Sequence, residues 1–276
     1  TGMILFILLL MLSLSTGCSN QENSITESNN TTDNNLEQIS NKASQSDADM
    51  FTDRDYRTAY DENESILIHL NGDSATASSN SVKISGSTVQ ITEEATYIIS
   101  GTLNNGIILV DAEDTAKLQI VLNGVSITNE SSAALYILSA DKVFVTLAEG
   151  TENTLANGGS FIAIDENNID AVVFSKQDLT FNGTGNLIIT SPNGNGIVGK
   201  DDLVFTGGNY TINTSTPGIE ANDSVRITGT TQITVDAGKD GIHCENNDDT
   251  SLGFIYISAG TLNIEAEGDG ISASAY

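Results

Sequence analysis

Four related phrases, Asn195-Gly196-Ile197-Val198-Gly199, Pro217-Gly218-Ile219-Glu220-Ala221, Asp240-Gly241-Ile242-His243-Cys244 and Asp269-Gly270-Ile271-Ser272-Ala273, decide the fold of this chain. The shared glycine recurs at 196, 218, 241 and 270, at spacings of 22, 23 and 29 residues. A period in this range marks a chain of stacked repeats, each too small to bury its apolar face alone. One residue after the glycine stand Ile197, Ile219, Ile242 and Ile271, and three after it Gly199, Ala221, Cys244 and Ala273. Residues two apart on a strand share a face, so these form two inward columns. Between them Val198, Glu220, His243 and Ser272 point outward.

Each period continues with two further alternating runs. Leu203 and Phe205 match Val225 and Ile227, then Ile255 and Ile257, while Val204, Arg226 and Tyr256 face the other way. After a glycine turn, Tyr210 and Ile212 match Ile233 and Val235, then Leu262 and Ile264. No 3.6-residue period interrupts them. Three short strands and three corners in about 22 residues predict one coil of a single-stranded parallel β-helix, an all-β solenoid. Similar alternation begins near Ser65 but is less regular, as at the capped end of such a stack. Asp269-Gly270-Ile271 opens a coil that never closes, so the solenoid is expected to be C-terminally truncated.

The ends differ in composition. Ile4 to Leu14 is apolar and too short to span a bilayer, as in the core of a signal peptide. It runs into Leu14-Ser15-Thr16-Gly17-Cys18, similar to a bacterial lipobox, although Ser15 stands where an aliphatic residue is usual. The organisation expected is a lipoprotein signal peptide over 1–18 with Cys18 as the lipidation site, or an unlipidated secretory signal. A disordered Asn- and Ser-rich tether follows over 19–50, then the β-helix over 51–276. The protein is expected to be exported and lipid-anchored at the bacterial cell surface, touching the membrane only through that anchor.

The chain of 276 residues carries 37 acidic and 10 basic side chains, a formal charge of −27. So few cations exclude nucleic acid as a partner. Only two histidines, 69 and 243, and no H-E-x-x-H argue against zinc. No G-x-S-x-G occurs, and the G-x-G-x-x-G at Gly194–Gly199 leads into a strand rather than the helix a dinucleotide site needs. Cys244 falls in an inward small-residue column and reads as a buried thiol.

The residue before the repeated glycine carries the chemistry. Asp240 and Asp269 take the same place in adjacent coils, about 4.8 Å apart. A Ca²⁺ held between them is expected, since two Ca–O distances of about 2.4 Å sum to that spacing. Glu220, Asp223, Asp201 and Asp202 are further metal candidates on nearby corners, as are Glu245, Asp248 and Asp249 on a longer loop. The alternative is that these acids are solvated surface. Tyr256, Lys239 and His243 are candidate ligand-binding side chains, with Lys239 the base if the site were catalytic.

Several runs also resemble a known family. Asp240-Gly241-Ile242-His243, Asp248-Asp249-Thr250-Ser251-Leu252-Gly253-Phe254, Gly260-Thr261-Leu262-Asn263-Ile264 and Asp269-Gly270-Ile271-Ser272 look like bacterial carbohydrate-binding β-helix proteins, and Leu122-Asn123-Gly124-Val125 matches upstream. The resemblance, over roughly Met50 to Tyr276, implies a right-handed parallel β-helix related in shape to pectate lyases. It also implies calcium as cofactor and non-catalytic binding of acidic polysaccharide such as polygalacturonate. Asn195 and Pro217 depart from the aspartate pattern. A calcium-dependent polysaccharide lyase and a structural adhesin with stabilising calcium are the alternatives.

Overall fold

The computed structural model describes residues 47–275. The signal peptide, the Cys18 anchor and most of the 19–50 tether therefore lie outside the described residues. The described chain is all-β apart from one short helix, Asp47–Met50.

From Leu135 onward the strands form parallel ladders in which each pairs with the strand three positions later, whereas earlier parallel partners lie two to four positions apart. One ladder joins Lys142–Leu147, Asp178–Gly183, Asp202–Phe205, Ser224–Ile227 and Phe254–Ile257. A second joins Glu152–Asn157, Asn186–Ser191, Asn209–Thr214, Gln232–Ala237 and Thr261–Ala266. The 13-residue strand Lys117–Asn129 pairs with both and merges them into one 14-stranded sheet. The third ladder is a separate 9-stranded sheet whose later members are Leu135–Ser139, Ala171–Ser175, Asn195–Gly199, Ile219–Ala221, Ile242–Cys244 and Ile271–Ala273. Two antiparallel pairs, Ile66–Gly72 with Ala75–Ala77 and Val82–Ser85 with Thr88–Ile91, stand at the N-terminal end.

The periodic phrases pair in register: Ile197 with Ile219, Ile219 with Ile242, and Ile242 with Ile271. Ile197, Ile219 and Ile242 are fully buried, as are Phe181, Phe205 and Val225 on the facing ladder. At the C-terminal end Ile271 is 47% exposed.

The repeated glycine is explained by close approach. A Cβ on Gly196 would stand 2.5 Å from the Gly218 carbonyl oxygen, and one on Gly218 would stand 2.8 Å from that of Gly241. A Cβ on Gly241 would meet the Gly270 oxygen at 2.6 Å, whereas one on Gly270 meets nothing within 4 Å. Gly218→Ala is therefore expected to cost about 1–3 kcal/mol, as overpacking does. Gly270→Ala should be nearly neutral. Urea unfolding of the two variants checks this, and equal midpoints would refute the contact.

Two segments cover the outer faces. The first, residues 47–60, runs as a strap across the Lys142–Phe254 ladder. Met50 and Phe51 are buried against Val204, so the folded part begins within the stretch assigned to the tether. Further along the strap, Asp55 meets Thr180 and Lys142, Arg54 lies over Phe144, and Tyr60 packs on Ile98, Val121 and Ala148. The second is the connection 158–170, 13 residues long where the next repeat uses three (192–194). It buries the outward side chains Tyr136, Phe174 and Val198 of the third ladder.

Candidate functional site

Beyond Val198 the outward column of the third ladder opens to solvent. Val198 is in register with Glu220, Glu220 with His243, and His243 with Ser272. Glu220 and His243 keep about a quarter of their side-chain surface exposed, 26% and 25%. A hollow lies on each side of this pair. One, of about 460 Å³, is lined by Pro217, Lys239, Asp240 and Glu267 together with Glu220 and His243. The other, of about 260 Å³, is lined by Asn222, Glu245, Asn246 and Asp248 with the same central pair. The alternation that builds the sheet thus places the two central side chains, while the corners before and after the strand supply the flanks.

Polar contacts hold the pair. The Lys200 ammonium lies 3.9 Å from Glu220 Oε1, and Asn195 Nδ2 donates to Glu220 Oε2 at 3.3 Å. His243 sits between two carboxylates, with Nδ1 at 3.1 Å from Asp240 Oδ2 and Nε2 at 3.6 Å from Glu245 Oε2. The Nδ1 approach is close, but its geometry makes no hydrogen bond. Hydroxyl-rich ligands suit such a surface, because carboxylates accept and ammonium and imidazole groups donate hydrogen bonds.

Asp240 and Asp269, expected to stand in adjacent coils, meet through a backbone contact. Asp240 Oδ1 accepts the backbone N–H of Asp269 at 2.9 Å, and its other oxygen turns to His243. An in-register backbone donor competes successfully for a carboxylate oxygen, which spacing alone does not reveal. Asp269 itself is exposed.

The remaining acids gather at the opposite corner. Burial, then the charge of Asp178 and a hydrogen bond with Asp223, push the Asp201 carboxyl up to about 6. Asp223 Oδ1 accepts from Asn246 Nδ2 at 2.9 Å. Asp202 is neutralised by Arg226 at 2.8 Å and bonded by the Ser224 hydroxyl at 2.5 Å. Asn246 Oδ1 also accepts the backbone N–H groups of Asp248 and Asp249, and Asp249 Oδ1 accepts the backbone N–H and the hydroxyl of Ser251, so an asparagine and an acid organise the longer loop together.

Tyr256 faces outward as expected, but its hydroxyl donates to Asp47 at 2.8 Å and its ring lies 6.1 Å from Phe51. It serves the strap rather than an open stacking platform. The strap had a sequence signal: Met50, Phe51, Tyr56 and Tyr60 are apolar anchors in an otherwise charged lead-in.

The donors around Asp201 and Asp223 are oxygens, the chemistry a hard cation requires. Among the described residues, however, no three His, Cys, Asp or Glu side chains gather as a metal site. A cation here would need carbonyl, amide or ligand oxygens to complete its shell.

An all-β chain with parallel ladders and a polar, partly open sheet face has the character of a glycan-binding module. The chain belongs to the carbohydrate-binding domain-containing protein family, whose pattern it matches over residues 85–276. It is 41% identical over 133 residues to a carbohydrate-binding domain-containing protein of Acetivibrio thermocellus. That alignment covers 48% of this chain and 46% of the relative, so the chain spans about half the length of the curated relative it matches. It is also similar to a solved structure of the polysaccharide lyase-like protein from C. thermocellum, a gadolinium derivative. The TM-score is 0.73 at 37% identity, covering 76% of this chain and 85% of that one.

Proposed function

We propose that this protein is a non-catalytic, calcium-dependent binder of acidic polysaccharide, wound as a right-handed parallel β-helix and lipid-anchored at the cell surface through Cys18. One observation carries the binding reading: the open Glu220–His243 pair between two hollows, on a chain whose family is carbohydrate-binding. The three-strand recurrence of the ladders supports the winding.

Calcium enters through electrostatics. A chain of charge −27 repels a polyuronate unless cations stand between them. Asp201 and Asp223, with Asp240, Glu245 and Asp248 near the hollows, are the residues that would hold such cations, which would screen both partners. Because the protein donor set is incomplete, the polysaccharide's own carboxylates would complete the shell. Protein and glycan would then bind the metal together more tightly than the protein binds it alone.

The expected result is retention on polygalacturonate in calcium and at least a tenfold loss of affinity in EDTA. The same incubations should release no unsaturated uronate. Retention unchanged by chelation would refute the cation bridge. Appearance of unsaturated product that Lys239→Ala abolishes would favour the lyase reading, for which Lys239 beside Asp240 and the lyase-like similar structure are the grounds.

A further inference from the structure

The open face has a second end. Lys83 is in register with Gln90, Gln90 with Leu109, and Leu109 with Tyr136. Tyr136 then aligns with Phe174, and Phe174 with Val198, next to Glu220. One outward column therefore runs from Lys83 to His243, and the 158–170 connection covers only its middle.

That cover is firmly held. The Tyr136 hydroxyl donates to Asp165 Oδ2 at 2.7 Å and accepts from Asn167 Nδ2 at 2.8 Å. Phe161 packs over Gly194, where a Cβ would stand 2.3 Å from its ring. Beyond the cover, at the N-terminal end, lies a hollow of about 340 Å³ lined by Lys83, Gln90, Thr92, Asp111, Glu113 and Asp114. Its acceptors are held in place. Gln90 Nε2 donates to Asp111 Oδ2 at 2.8 Å, and the Ser139 hydroxyl donates to Asp114 Oδ1 at 2.8 Å. The Thr92 hydroxyl donates to the Ser81 carbonyl at 3.0 Å and presents its oxygen as an acceptor. Fixed carboxylates beside the Lys83 ammonium thus offer paired acceptors and donors to vicinal sugar hydroxyls.

We infer that this N-terminal hollow is a second sugar-binding subsite on the same face, separated from the Glu220–His243 site by the 158–170 connection. The inference rests on the proposed carbohydrate-binding reading. Gln90 and Glu220 lie five strands apart, which places the two subsites roughly 24 Å from one another at about 4.8 Å per strand. A short oligosaccharide fills one subsite at a time. A long chain that arches over the cover engages both, and gains affinity because its second contact is intramolecular.

Calorimetric titration of the whole chain with a galacturonate trimer, in calcium, tests this. Two trimers per chain are expected, falling to one in the Lys83→Ala/Gln90→Ala variant. Polygalacturonate affinity should fall at least tenfold in that variant, while the remaining trimer site keeps its affinity. Lys83 is exposed and Gln90 half-buried on an outer face, so folding is not at stake. One trimer per wild-type chain, or two in the variant, overturns the second subsite and leaves the first intact. No binding of trimer or polymer would overturn both this inference and the reading beneath it.

Discussion

Asp55→Ala is expected to lower folding stability by about 3–5 kcal/mol, the range for removing one partner of a buried ion pair. Asp55 is 1% exposed, and its Oδ1 lies 3.0 Å from the Lys142 ammonium and accepts the Thr180 hydroxyl at 2.6 Å. Oδ2 accepts both the backbone N–H and the hydroxyl of Thr52 at 2.8 Å. The backbone carbonyl of Asp55 accepts the Thr206 hydroxyl and the Asn182 amide. Alanine leaves Lys142 with Asp178 at 3.9 Å as its remaining carboxylate and strands the Thr180 hydroxyl under the strap. The same residue should set part of the acid response. Burial by itself lifts this carboxyl, but the Thr180 bond, the Lys142 charge and the Thr52 bonds together hold it below the usual range. A depressed carboxyl stabilises the fold above its unfolded pKa of about 3.9, and that contribution is lost as pH falls through the lower folded value. Urea midpoints between pH 7 and pH 2 should therefore fall more steeply in acid for the wild type than for Asp55→Asn. Parallel curves, or a loss below 1 kcal/mol for Asp55→Ala at pH 7, would show that the strap is not held in this way.

Phe205→Ala should cost a similar amount, about 3–5 kcal/mol, through a cavity rather than a charge. Phe205 stacks on Phe181 with centroids 5.1 Å apart and planes 9° apart, and Tyr210 meets both rings edge-on. All three are fully buried, and the Tyr210 hydroxyl is satisfied by the Gly207 carbonyl at 2.7 Å. Phe205→Leu, which retains most of the volume, should cost less than half as much. Chemical denaturation separates the two variants, and equal losses would point to backbone distortion instead of a void.

The repeats were legible because their period is written in residue types that pack one way. An isoleucine every 22 or 23 residues, flanked by small residues, aligns only if successive copies lie side by side, and Ile197, Ile219 and Ile242 do so in register. Much of the site was legible for the same reason, since outward positions follow from inward ones. Glu220, His243, Lys239 and Asp240 do come together around the open column. The covers were not legible in this way. Nothing periodic marks residues 47–60 or 158–170, and their partners are up to 209 residues distant in sequence. Tyr256, a ligand candidate from its outward position, donates its hydroxyl to Asp47, a partner that the period does not mark. The Asp240 contact was not legible for a local reason: one of its side-chain oxygens accepts the backbone N–H of Asp269 in the next strand, which spacing does not reveal.

The strap runs counter to the order of the ladders it crosses. Its later residue Tyr60 touches Ile98 and Val121, whereas its first described residue, Asp47, bonds Tyr256. Asp47 and its partner are 209 residues apart in sequence, so the Asp47–Tyr256 bond closes a loop that holds every ladder the strap crosses. That contact exists only when the intervening strands are stacked in register, so the strap's first described residue reports that the strands between them have been laid down.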